Sequence, residues 1–100
     1  MTTKILCATD GTAHSQHAVE LAATLASRLD VPLVLCTVNV ARGGARGPLI
    51  LSMDDAKVKQ ILDTAAGIAR AAKVKSIEEV SLKAREAAAA IVQYAEDHGC

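Results

Sequence analysis

One hundred residues make a single domain near the lower end of the usual size range, with a modest core that partner subunits would reinforce. Eleven basic and eleven acidic side chains cancel, which argues against a nucleic-acid binder working by bulk charge and leaves small anionic ligands open. Tyr94 is the only aromatic residue, so the stacking rings of single-stranded nucleic-acid surfaces are missing as well.

Much of the hydrophobic content is alanine, which suits close packing of helices on a sheet. Cys7, Cys36 and Cys100 fit neither a disulfide framework nor a zinc spacing. Cys7 and Cys36 sit in apolar runs and read as small hydrophobes. No stretch reaches membrane-spanning length, and the N-terminus lacks the apolar core of a signal peptide. A soluble, reducing, cytoplasmic setting is expected, with no nucleic-acid or membrane partner.

Residues Ile5 to Thr9 form a short apolar run closed by Asp10-Gly11, which predicts a buried strand. From His14 to Leu29 the pattern is helical, with Ala18, Leu21, Ala22, Leu25 and Leu29 on one stripe. Thr12 or Ser15 can cap it, and Pro32 limits its end. Leu33 to Val40 is apolar on both faces, as in a central strand of a covered parallel sheet. Ala41 to Pro48, "ARGGARGP", reads as a flexible loop.

Ser52 to Asp55 resembles a capping box, with Asp55 in the place of the usual Glu or Gln. The helix it opens carries Val58, Ile61, Leu62, Ala65, Ile68, Ala69 and Ala72 on one face. Near Val80 the period becomes two, with Val80, Leu82 and Ala84 alternating with Glu79, Ser81 and Lys83, which predicts a more exposed edge strand. Ala87 to His98 is helical again, with Ala88, Ile91, Val92 and Ala95 expected inward and Gly99 at the left-handed cap. The order β-α-β-α-β-α implies a three-layer α/β fold with a parallel sheet and right-handed crossovers.

Ligands of such sheets bind beyond the carboxyl ends of the strands, where Asp10 lies. "DGT" also occurs in the D-x-D-G-T motif of haloacid-dehalogenase-type phosphatases, but Ala8 stands where the nucleophile is needed. A methyl group cannot attack phosphorus, so that chemistry falls away. There is no G-x-x-x-x-G-K-[ST] loop and no G-x-G-x-x-G after the first strand. Arg42 and Arg46 in the glycine-rich loop could meet a phosphate, although such a loop is more commonly only mobile. His14, His17 and Asp10 lack a third strong metal ligand, so no metal is expected. Asp10 itself reads either as a ligand contact or as a residue that merely fixes the helix start.

"KILCATDGTAHSQHAVELAATLA", "LVLCTVNV" and "AAIVQYAEDHGC" together resemble the universal stress proteins across nearly the whole chain. The resemblance implies a Rossmann-like, doubly wound parallel sheet of order 3-2-1-4-5, of which residues 1–100 would supply 3-2-1 as one domain, truncated before the fourth strand. It implies a stress-response-associated, non-catalytic regulatory protein that binds an adenine nucleotide, ATP or AMP, in the complete domain. Carried over by position, the nucleotide contacts are Ala8, Thr9, Asp10 and Val38, with no catalytic residue. The alternative is a nucleotide-independent dimerisation or interaction module of the same family.

Two departures accompany the resemblance. Arg85 and Ala87 stand where the family often has a Gly-x-Pro turn. The glycine-rich phosphate loop is absent from these residues, so weak nucleotide affinity, or none, is expected of them alone. The edge of the first strand would then be a template for homodimerisation or higher association.

Overall fold

The structure is a computed structural model and describes residues 4–43, 49–51, 54–84 and 86–99. Of residues 40–43, 49–51 and 84 it describes the backbone alone. The elements in chain order are β1 (Ile5–Ala8), α1 (Ala13–Leu29), β2 (Leu33–Gly43), β3 (Leu49–Leu51), α2 (Asp55–Ala71), β4 (Ile77–Ala84) and α3 (Ala87–His98).

Strands β1, β2 and β4 form the parallel sheet, with β2 in the middle. Leu33, Val34, Leu35 and Cys36 of β2 are all fully buried, which is why this run is apolar on both faces. Leu33 and Leu35 face α1 and α2, where they join Cys7, Val19, Ala23, Val58 and Leu62 in one core. Val34 and Cys36 alternate to the opposite face, the side on which α3 packs against β2 and β4. The strand that follows α2 lies at the sheet edge, as its alternating pattern predicts.

The expected loop after Val40 is in part a strand. Residues 41–43 continue β2 and pair antiparallel with β3. The first three residues of the glycine-rich stretch therefore belong to a paired strand, and the apolar triplet Leu49–Leu51 supplies the other. Arg46 lies outside the described residues, as do Arg85 and Cys100.

Local signals set the helix ends. Thr12 is the N-cap of α1, accepting from the Ser15 amide, and Asp30 takes the left-handed conformation (φ 55°) at its C-terminus. Helix α2 begins at Asp55 with Asp54 as its cap, whose side chain accepts from the Lys57 amide at 2.8 Å. The cap is thus Asp54, with Asp55 already helical, in place of the expected Ser52–Asp55 capping box; Ser52 lies outside the described residues. Gly99 caps α3 in the left-handed conformation.

Helix α1 corrects its expected face. The buried residues are Val19, Ala23 and Ala26, while Leu21 is 72% exposed, Leu25 48% and Leu29 53%. Two apolar stripes run along this helix, and the one with small side chains faces the sheet and α2 because it allows the closer approach. In α3 the same rotation occurs. Ala88 and Val92 are exposed, and Ala87, Ala90, Ile91, Tyr94 and Ala95 are half-buried. Helix α2 follows its expected stripe and adds Ala66.

Candidate functional site

Strand β1 stops at Ala8 because the chain must turn, and the turn is built from polar side chains. The Thr9 amide still donates to the Cys36 carbonyl of β2, so Thr9 is fixed by the sheet. Asp10 then accepts two bonds through one carboxylate oxygen. The Thr12 amide donates to it at 2.9 Å and the Thr12 hydroxyl at 2.7 Å. The hydroxyl of Thr12 accepts in turn from the Ser15 amide, so Asp10 orients the residue that caps α1. Thr9 Oγ1 lies 3.0 Å from Ser15 Oγ and accepts from the Gly11 amide, which closes the loop on itself.

This network holds the Asp10 carboxyl below its ordinary value of 3.8, chiefly through the Thr12 hydroxyl, then the Thr12 amide, then Ser15. The carboxylate is exposed and charged at neutral pH. Its lone pairs are not exhausted by Thr12, because an ionised carboxylate can accept about four bonds.

Beside this turn lies a cavity of ≈ 250 Å³. Ala8, Thr9, Asp10 and Val38, the residues singled out in the sequence, all line it. The end of β1 and the middle of β2 supply them. Sequence reasoning missed the other four lining residues, Ser15, Thr37, Ala87 and Ile91. Ser15 was visible only as a cap and Ile91 only as an apolar helix position. Their meeting at one cavity depends on how α3 crosses the sheet. Among the described residues the lining holds one charged side chain, Asp10. Thr37 Oγ1 is buried without a hydrogen-bond partner at this same point in β2.

Burial raises the Cys7 thiol above its ordinary value, which suppresses the reactive thiolate. No group of three His, Cys, Asp or Glu side chains converges on a metal position among the described residues. His17 lies 3.7 Å from Glu20 on the exposed face of α1. None of the described helices is long and apolar enough to cross a membrane.

A parallel sheet with helices on both faces and a cavity at the carboxyl ends of its strands defines a Rossmann-like α/β protein. The sequence pattern of the Universal stress protein family matches residues 1–100, and the chain belongs to that family. Solved structures of similar fold agree with this assignment. A universal stress protein in complex with cAMP aligns with a TM-score of 0.80 at 23% identity, covering 99% of this chain and 68% of that one. A universal stress protein from Archaeoglobus fulgidus aligns with a TM-score of 0.72 at 23% identity, over 95% and 67% of the two chains. A family protein from Burkholderia pseudomallei gives 0.73 at 22% identity, over 99% and 76%. No curated protein matches the chain.

Proposed function

We propose that the cavity at the end of β1 and the middle of β2 is the nucleoside half of an adenine-nucleotide site, and that the protein is a non-catalytic, stress-associated regulator. The observation that carries this is the convergence of Ala8, Thr9, Asp10 and Val38 on one cavity beside α3. Ala8, Val38 and Ile91 offer apolar surface to a base. Asp10, held in place by Thr12, offers carboxylate lone pairs to ribose hydroxyls. The cAMP complex of a protein with the same fold supports a nucleotide as the ligand class.

The size and charge of the cavity bound what it takes. At ≈ 250 Å³ it falls just below the range of about 300–1,000 Å³ typical of drug-sized ligands. Among the described lining residues the one charge is the Asp10 carboxylate, which repels a phosphate. We therefore read residues 1–100 as one domain that holds base and ribose, with ATP or AMP as ligands only where further groups meet the phosphates. A homodimer is part of this reading.

Adenosine, AMP and ATP titrated into isotope-labelled protein and followed by NMR test it. Weak binding is expected, about 1 mM or weaker, similar for the three ligands, with shifts at Ala8, Asp10, Val38 and Ile91. Ile91→Trp, which fills the cavity, should abolish those shifts. ATP binding in the micromolar range would overturn the phosphate-free reading, and shifts that persist in Ile91→Trp would remove the cavity as the site.

A further inference from the structure

The core between α1, α2 and the sheet turns polar where it meets the β1–α1 turn. Along α1 the buried stripe is Val19, Ala23 and Ala26, and the position one turn ahead of it is Gln16, which is half-buried. Along α2, Lys57, Gln60, Ile61 and Thr64 recur at three- and four-residue spacings and so share one face. Thr9 is the buried polar residue at the end of β1. These residues line a cavity of ≈ 110 Å³, closed on one side where Gly11 packs against Ile61.

This cavity is separate from the one beside α3. Its far wall is α2, whereas Ala87 and Ile91 of α3 wall the other from the opposite face of the sheet. The two linings share Thr9 alone. Their charge is opposite as well. The charged side chain among the described residues here is Lys57, whose ammonium offers three donors and no acceptor. The amides of Gln16 and Gln60 and the hydroxyl of Thr64 can each add a donor. None of these four side chains forms a hydrogen bond or ion pair with another described residue. Asp54, at the start of α2, accepts from the Lys57 backbone amide and does not line the cavity.

We propose that this cavity is a binding site for a free tetrahedral oxyanion of the phosphate class. Size sets the first limit. One water needs about 10–15 Å³ of such space, so the cavity holds a guest of several heavy atoms. It falls well short of the range of about 300–1,000 Å³ that drug-sized ligands occupy.

Chemistry sets the second limit. A lone ammonium among neutral donors selects an anion with several acceptor oxygens. The donors come from α1 on one side and from successive turns of α2 on the other, which suits a tetrahedral group. Lysine meets phosphate as a point charge, whereas a planar carboxylate is best held by the fork of an arginine. The inference does not depend on the nucleotide reading, because the guest is a free anion on the α1/α2 face and adenosine in the other cavity leaves it in place.

Inorganic phosphate titrated into isotope-labelled protein at constant ionic strength, followed by NMR, tests it. Saturable shifts are expected at Gln16, Lys57, Gln60 and Thr64, with a dissociation constant of about 1–10 mM. Sulfate should move the same signals to saturation, and acetate should not. Lys57→Gln keeps a good helix former and the Asp54 cap, and should weaken phosphate about tenfold. Thr64→Val keeps the shape of the side chain without its hydroxyl and should weaken phosphate about threefold. Ile91→Trp, which fills the other cavity, should leave the phosphate shifts unchanged, whatever it does to those of adenosine. Shifts that never saturate, equal saturation by acetate, or binding indifferent to both Lys57→Gln and Thr64→Val would each overturn the proposal.

Discussion

Helix α2 buries Val58, Ile61, Leu62, Ala65, Ala66 and Ala69, whereas α3 buries no residue to the same degree. Both carry an apolar stripe and both lie on the sheet. The difference is in what surrounds them. Helix α2 lies beside α1 on the same face of the sheet and packs against both. Helix α3 packs on β2 and β4 with no helix contact of the same extent. Part of its order is its own: the rings of Tyr94 and His98 stack at 4.0 Å, and Gln93 bonds Asp97 at 2.9 Å. The cavity therefore has one wall fixed by the sheet and the β1–α1 turn and one wall, α3, that rests on the sheet by partial contacts. Local opening is expected at the second wall, because stability within a domain follows buried apolar contact.

The largest effects should separate the two helices. Leu62→Ala removes a side chain from the α1/α2 core and is expected to cost about 2–5 kcal/mol. Ile91→Ala removes one from the half-buried face of α3 and should cost about 1 kcal/mol, in line with its partial burial. Urea unfolding of both variants gives the comparison directly. Equal losses would mean that α3 is as firmly seated as α2.

How much of this was readable in advance depends on packing partners. The core of α2 could be taken from spacing because one stripe alone carries its large apolar residues. Helix α1 has two stripes, and spacing cannot say which one meets the sheet. Leucine at 21, 25 and 29 outweighed the smaller Val19, Ala23 and Ala26, yet the small residues are the buried ones. In α3 the inward face was displaced for the same reason. Strand β3 was missed because three residues give no period, and its pairing with residues 41–43 is visible only once the hairpin is formed.

The site divides along the same line. Ala8, Thr9 and Asp10 are contiguous and close a strand, so their placement follows from local sequence. Val38 came through family resemblance. Ser15, Thr37, Ala87 and Ile91 needed tertiary structure, since their meeting depends on how α3 crosses β2. The N-cap at Thr12 was legible from residue type, but the role of Asp10 in orienting that cap was not separable from direct capping.

A second, smaller effect would sharpen the contrast from the side of the fixed wall. Gly11 has φ 84°, and a Cβ there would stand 3.1 Å from Cγ1 of Ile61 on α2. The β1–α1 turn thus leans on the buried helix. Gly11→Ala adds a left-handed backbone penalty of about 1–2 kcal/mol to that contact. Gly11→Asn should recover part of the backbone cost, because Asn tolerates this conformation better. If Gly11→Ala left the urea midpoint unchanged, the turn would not be braced by α2 as the geometry indicates.

The smallest expected effect is electrostatic and lies in the same turn. Thr12 holds the Asp10 carboxyl below 3.8, so protonation is less favourable in the folded chain than in the unfolded one. The resulting stabilisation is fully present above pH 3.8 and is lost as pH falls through the lower folded value. Asp10 is exposed, so solvent screens the effect and keeps it modest. Asp10→Asn keeps an acceptor for the Thr12 amide and removes the charge. The stability difference between wild type and Asp10→Asn should be largest at neutral pH and shrink in acid, as read by urea unfolding at each pH. A difference that stayed constant with pH would assign Asp10 a purely geometric role. It would also leave the turn equally well formed in acid, and the fixed wall of the cavity would then rest on Gly11 and the Thr12 cap without help from the carboxylate charge.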